Sequence, residues 1–398
     1  MRVLMVHAFY QQRAGEDRSF VAEAELLTSR GVEVELFTFD NAEIEAWSAV
    51  RKATSLVWNA EMRRKMAARI AAFRPDVLHV QNLFPGVSPS VYAAAQEAGV
   101  PVVQKLSNFR LFCANGMLFR DGKVCESCMG KALGWRAVVH GCYRGDRVMS
   151  GAIASATALH RALGTWSNGI QAYVALDADG RDRFVQAGLP AEKLYVKPNF
   201  LDPFPSPGEG QGGFALFAGR FADGKGVETL VRAWKGADDL PPLTLAGDGP
   251  LMGRVREIAG ESSNIEFLGR VAPADLDHLM GQAACVVVPS EFHEPFGRVA
   301  LEAMGCGTPV LSTTSGALKH VVRPGVSGAH FRPGDVDGLT TAVRSLFSDP
   351  GALAALRIST REDAMTRFSG DANFRILMDI YQRVGAHINR PQSALDAA

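Results

Sequence analysis

The chain is predicted to be an α/β protein of two domains, each a parallel sheet wrapped in helices. Three observations carry this reading. Short apolar runs alternate with helical patterns through both halves of the sequence, which is the rhythm of βα units. A stretch dense in proline and glycine, from Pro198 to Gly213, separates the halves and suits neither a helix nor a central strand. The 398 residues are also enough for two or three sizeable cores.

In the first half, strands are read at Val3–Val6, Val32–Phe37, Val77–Val80 and Val100–Gln104, with a helix around Phe20–Ser29. The second half gives Phe214–Ala218, Leu243–Ala246, Ile265–Leu268, Cys285–Val288 and Val310–Ser312. The boundary is placed near residue 205, and ligands are expected at the carboxyl ends of the strands.

Hydrophobic residues make up 47% and charged residues 21%, an ordinary globular composition. Lysine plus arginine equals aspartate plus glutamate at 42 each, so no overall field favours nucleic acid and any anion site must be local. A buried-strand pattern begins at Arg2, and no apolar run reaches spanning length. A cytoplasmic protein without a signal peptide is therefore expected, with peripheral contact at the inner membrane face left open.

The run from Glu294 to Glu302 (Glu-Pro-Phe-Gly-Arg-Val-Ala-Leu-Glu) is the most informative part of the chain. Pro295 and Gly297 mark the start of a helix, with Glu294 in the loop before it and Glu302 more than a turn inside. One carboxylate then stands beside free helix amides and the other lies deeper in the same cleft. Carboxylates accept hydrogen bonds from hydroxyls, and helix amides suit anions, so the pair fits a sugar joined to a phosphate.

A second cluster follows the strand Phe214–Ala218. Gly219-Arg220-Phe221-Ala222-Asp223-Gly224-Lys225-Gly226 leads into a helix from about Val227 to Trp234. Arginine offers phosphate a bidentate fork, lysine a point charge, and the helix end a partial positive charge. A solvated turn with incidental charges is the plain alternative. The first-domain loop from His7 to Arg18 differs, because Gly15 is followed by Glu16 and Asp17, which would repel phosphate. That loop is expected to meet a neutral hydroxylated group or only to cap its helix.

With these residues in place, the chain resembles the retaining glycosyltransferases of the GT4 family, which have the two-domain, Rossmann-like GT-B architecture. The resemblance covers the full length. It is strongest where Gly-Arg…Lys-Gly, Ala-Gly-Asp-Gly-Pro (246–250), Phe-Leu-Gly-Arg (267–270), the two glutamates and Gly-x-Pro-Val (307–310) follow in family order. The resemblance implies domains at 1–204 and 205–370, facing each other across a cleft. It also implies a final helix, about Asp371–His387, that returns to the first domain ahead of the tail, within 371–398.

The same resemblance implies a donor site. Gly219, Arg220 and Lys225 would hold the diphosphate of a nucleotide sugar, UDP- or GDP-linked. Glu302 would hold the ribose, and Leu268 and Arg270 would border the base. Glu294, Pro295, Phe296 and Gly297 would hold the donor sugar, with Arg298 near the phosphates. Arg220, Lys225 and Glu294 would carry the chemistry. Transfer would retain anomeric configuration and need no catalytic metal or other cofactor, and the acceptor would be a glycan or lipid-linked hydroxyl in surface polysaccharide or glycoconjugate assembly.

One departure stands out. Relatives carry a histidine after a first-domain strand, where this chain has Ser107, followed by Asn108. Gly15, Ser107 and Asn108 are the residues expected on the acceptor or sugar side. An altered donor preference, a transfer of the histidine's role to Asn108, and a weakened enzyme are the three readings. The rivals to a transferase are a nucleotide-sugar epimerase or hydrolase and a binding-only relic.

Four of the six cysteines, Cys113, Cys125, Cys128 and Cys142, fall in an insertion over about 107–147. The C-x2-C core suits structural zinc, while buried free thiols or disulfides are the alternatives. Cys285 and Cys306 read as packing residues. Between Arg51 and Arg74, the cations Arg63, Arg64, Lys65 and Arg69 accompany Met62, Met66, Ile70 and Phe73 at helical spacing. Such a helix either lies on anionic lipid or turns its apolar side to the core. His293 is assigned to the rim of the site, and Asp248 to shaping a turn.

Overall fold

The computed structural model describes residues 1–11 and 15–386. Strands β1 (Arg2–Phe9), β2 (Glu33–Asp40), β3 (Val77–Asn82) and β4 (Val102–Leu106) open the first sheet. A hairpin of β5 (Phe119–Arg120) and β6 (Lys123–Val124) intervenes before β7 (Ala172–Ala175) and β8 (Leu194–Val196) complete it. Its order is β2-β1-β3-β4-β7-β8, with every pairing parallel. The second sheet contains β9 (Ala215–Ala218), β10 (Leu243–Ala246), β11 (Ile265–Gly269), β12 (Cys285–Val288), β13 (Val310–Thr313) and β14 (Gly328–Phe331). These run β11-β10-β9-β12-β13-β14, again all parallel.

Helices cover both faces of each sheet, which explains why β4, β9, β10, β12 and β13 are buried along their whole length. In both sheets the chain reverses its direction of travel beside the first strand, between β1 and β3 and between β9 and β12. Crevices open at such points, beyond the carboxyl ends of the strands. The loops after β9 and β12 therefore face the loops after β1 and β4.

The chain crosses between the sheets twice, side by side. Leu201 N–H donates to Phe368 C=O at 3.0 Å, and Leu201 bridges to Ser369. Ser369 then caps the helix Gly370–Arg383, its hydroxyl accepting from Ala372 N–H. That helix buries Leu377, Ile380 and Tyr381 against Val3, Met5 and Phe20 of the first domain. The returning helix is thus present, and His387, where it was expected to end, lies outside the described residues.

A fully buried ionic group reinforces this junction. Glu23 Oε2 accepts from Lys105 Nζ at 2.8 Å, and Glu23 Oε1 lies 2.8 Å from Lys197 Nζ. Lys197 also donates to Asn373 of the returning helix at 3.0 Å, while Lys105 donates to Ser19 at 2.7 Å. Burial alone would raise the Glu23 carboxyl, but the two lysines hold it well below the usual carboxylate range. Burial brings Lys197 down to about 8 and His79, which meets Tyr381 OH, down to about 4.

The helix Ala60–Phe73 turns Met62, Met66 and Ile70 inward. Three of its four cations are paired: Lys65 with Glu61 at 2.7 Å, Arg63 with Glu97 and Arg69 with Glu35. Its apolar side is core. No helix among the described residues is long and apolar enough to cross a membrane.

Candidate active site

The glycine-rich loop after β9 passes close to the loop after β12. Gly226 has a φ of 70°, and a Cβ there would stand 1.8 Å from the Pro289 carbonyl oxygen, so only glycine fits. The next helix begins at Val227, as expected. Beyond β12, Gly297 at φ 83° caps the helix Arg298–Gly305. Pro295 therefore lies ahead of the helix and not in its first turn, because the left-handed glycine ends the loop and sets the start at Arg298. Glu294 remains in the loop and Glu302 inside the helix.

These two loops bring Lys225 and Glu294 together. Lys225 Nζ donates to Glu294 Oε2 at 2.8 Å, and Ser290 Oγ donates to the same oxygen at 3.0 Å. The ammonium also lies 4.7 Å from the Phe292 ring centre. Arg220 is exposed on the same cleft. The cleft has a volume of about 300 Å³, bounded by Gly15, Ser19, Ser107 and Asn199 on one side and by Gly219, Arg220, Lys225, Glu294, Pro295, Phe296, Gly297 and Arg298 on the other.

Arg298 closes one end. Its Nη2 and Nε donate to Glu302 Oε1 at 3.0 and 3.3 Å, and Arg18 Nη1 reaches the same oxygen at 3.7 Å from the first domain. A Cβ on Gly15 would lie 3.1 Å from Arg298 Cδ, so the two domains approach where the sequence offers a glycine. Sequence reasoning missed Arg18, Ser290 and Asn199, which reach the cleft through tertiary packing that no local pattern announces.

Glu16 and Asp17, expected in the loop ahead of the helix, instead lie in the first turn of the helix Gly15–Ser29, and both are occupied. Asp17 Oδ1 meets His7 Nε2 at 2.8 Å, and Glu16 Oε2 accepts from Tyr10 OH at 2.9 Å and Asn108 Nδ2 at 3.2 Å. Burial raises the Glu16 carboxyl. Asn108, bonded to Glu16, does not itself line the cleft, while Ser107 does. Ser107 also borders a second, largely apolar pocket in the first domain, walled by Phe84, Tyr92, Leu106, Ile153, Ala156 and Trp166. The polar groups there are mostly occupied: His160 meets Val57 C=O and Thr165, and Tyr92 meets Gln104.

Leu268 and Arg270 do not line the cleft. Leu268 is exposed near the end of β11 and Arg270 just after it, where Arg270 Nε lies 3.4 Å from Asp248 Oδ2. Asp248 itself accepts from Gly249 N–H at 2.7 Å, so it shapes its turn as expected. Its neighbour Gly247 meets Gly269 C=O at 2.7 Å, which places that rim beside the glycine loop.

The cysteine insertion reaches further than an acceptor-side element. A Cβ on Gly224 would lie 3.3 Å from the Phe119 ring, so the β5–β6 hairpin leans on the glycine loop of the other domain. Glu126 Oε1 also stands 3.3 Å from His293 Nε2. The structure gives the zinc expectation no support. Cys113, Cys125, Cys128 and Cys142 are half-buried free thiols. Among the described residues no group of three or more His, Cys, Asp or Glu side chains is placed to hold a metal ion. Burial raises the thiols of Cys113, Cys128 and Cys142, which favours the protonated form. Cys285 and Cys306 are core residues, pushed up to about 12 by burial.

Two opposed parallel-sheet domains with a shared cleft define the GT-B fold. Residues 15–199 match the glycosyl transferase 4-like domain, and residues 202–363 match the glycosyl transferases group 1 family. The chain is a GT-B-fold protein related to that GT4, group 1 family. It is 31% identical to a glycogen synthase of Mycobacterium tuberculosis over 186 residues, covering 45% of each chain. It is 32% identical to a D-inositol 3-phosphate glycosyltransferase of Mycolicibacterium paratuberculosis over 177 residues, covering 42% of this chain and 39% of that one. The chain thus spans less than half the length of the curated relatives it matches. Among solved structures, Anabaena HepE in complex with UDP and glucose superposes with a TM-score of 0.65 at 19% identity, over 96% of this chain and 100% of that one. The sucrose-phosphate synthase of Thermosynechococcus elongatus gives 0.71 at 18% identity, over 96% and 98%. At these identities the likeness is one of fold.

Proposed function

We propose that the protein is a retaining glycosyltransferase that moves a sugar from a nucleotide diphosphate sugar to a hydroxyl of a glycan or lipid-linked acceptor. Its place would be in building a surface polysaccharide or another glycoconjugate. The observation that carries this reading is the convergence of Arg220, Lys225 and Glu294 on one cleft, opposite Gly15 and Ser107. A UDP-linked donor is supported by the UDP and glucose held in HepE.

In this reading Arg220 and Lys225 stabilise the negative charge that grows on the departing diphosphate. Glu294 takes the hydroxyls of the donor sugar, and Glu302, held by Arg298, takes the ribose. The base lies toward Leu268 and Arg270. An oxygen of the leaving phosphate accepts the acceptor's proton on the face the donor vacates, so no protein base is required and configuration is retained. The apolar pocket beyond Ser107 receives the acceptor.

Screening nucleotide sugars for thermal stabilisation of the protein tests this first. One UDP- or GDP-sugar is expected to raise the unfolding midpoint and then to yield a glycoside when acceptors are supplied. If no nucleotide sugar stabilises the chain, the reading fails.

A further inference from the structure

The cysteine insertion exposes an apolar face that the cleft does not use. Leu133, Trp135, Val139 and Val148 are 47%, 57%, 51% and 79% exposed. Trp135 and Val139 are four residues apart on the helix Trp135–Val139, so they share a face. The other side of that helix is spoken for, since Ala137 is buried and a Cβ on Gly151 of the next helix would lie 3.7 Å from Val138. Val148 stands in the first turn of that next helix, Arg147–Ala162.

Cations surround the face. Lys131, Arg136, Arg144 and Arg147 are exposed, and none has an ion pair among the described residues. The Arg136 guanidinium lies 5.6 Å from the Trp135 ring centre. Asp146, the one acid in the sequence over 127–162, is spent capping its helix through Val148 and Met149 N–H groups at 2.8 and 3.0 Å. The helix Ala60–Phe73 differs: there three of the four cations are paired and the apolar side is buried.

We propose that this face docks on an anionic lipid bilayer. A tryptophan and aliphatic side chains enter the headgroup boundary, while unpaired arginines and lysine meet lipid phosphates. The placement suits an enzyme with an amphiphilic acceptor. Val148 and Ile153 share one helix and lie about 8 Å apart along it, and Ile153 walls the apolar pocket beside Ser107. Docking stands on the exposed face alone and does not depend on the proposed transfer reaction.

Cosedimentation of the full chain with vesicles tests the proposal. The chain is expected to bind phosphatidylglycerol–phosphatidylcholine vesicles, to bind phosphatidylcholine alone more weakly, and to release in high salt. Trp135→Ser with Val139→Ser is expected to lower affinity by about tenfold or more. Arg136→Ala with Arg147→Ala is expected to lower it about thirtyfold. All four positions are exposed, so the unfolding midpoint of each variant should match the parent. A parent chain that ignores anionic vesicles overturns the proposal, as does undiminished binding by both double variants. Self-association abolished by Trp135→Ser and Val139→Ser, without vesicle binding, overturns it in favour of a contact between copies.

Discussion

Lys225 and Glu294, 69 positions apart in the sequence, meet at 2.8 Å on the floor of the interdomain cleft. The contact joins the loop after β9 to the loop after β12 and holds both side chains oriented. A bound diphosphate would compete for the lysine, leaving the carboxylate to the sugar hydroxyls.

That division of labour separates the two roles experimentally. Glu294→Gln is expected to lower transfer by about a hundredfold while affinity for the nucleoside diphosphate alone stays the same or tightens. Steady-state kinetics and calorimetry on the same variant check both arms. Weaker binding of the diphosphate would move Glu294 to the phosphate side.

Ser107 borders both the cleft and the apolar pocket, at the position where the family resemblance leads to the expectation of a histidine. A hydroxyl cannot reach as far as an imidazole. Ser107→His is expected to lower the donor KM by about three- to tenfold, the worth of one added hydrogen bond, and to change donor hydrolysis relative to transfer. Unchanged values in both would make the position incidental.

The buried trio of Glu23, Lys105 and Lys197 carries one more positive charge than negative. Glu23→Gln strands two ammonium groups and is expected to cost about 3–5 kcal/mol in urea unfolding. Lys197→Met leaves a matched pair and should cost distinctly less. Equal losses would mean that packing, not charge balance, sets the stability here.

Acid should loosen the same region. His79 is neutral in the fold, with a pKa near 4, and takes up a proton on unfolding near its ordinary value. The unfolded chain then binds more protons between about pH 6.5 and 4, so stability falls with pH across that window. Glu23, held low, acts in the same direction below the ordinary carboxylate range. The loss from His79 is on the order of 2 kcal/mol at about pH 5. Unfolding midpoints against pH should slope less steeply in His79→Gln.

Much of the architecture was legible because buried parallel strands are nearly continuous apolar runs, as in Cys285-Val286-Val287-Val288. Three sheet strands escaped detection: Leu194–Val196 has three residues, Ala172–Ala175 is a four-residue run, and Gly328–Phe331 includes glycine and histidine. They are strands because their neighbours pair with them. Local motifs marked Lys225 and Glu294, since glycine and proline announce their loops. Arg18 and Asn199 carried no such signal, and Lys105 carried one that passed unused, a lysine in an otherwise buried strand. The cysteine spacing suggested zinc, which no metal-holding group among the described residues supports.

Titration calorimetry of the nucleoside diphosphate into the parent, Arg220→Ala and Lys225→Ala proteins tests the central claim most directly. Each substitution is expected to weaken binding by about ten- to a hundredfold, the worth of a charge-assisted contact to phosphate, with unfolding midpoints kept. Binding of equal strength in all three proteins would contradict it.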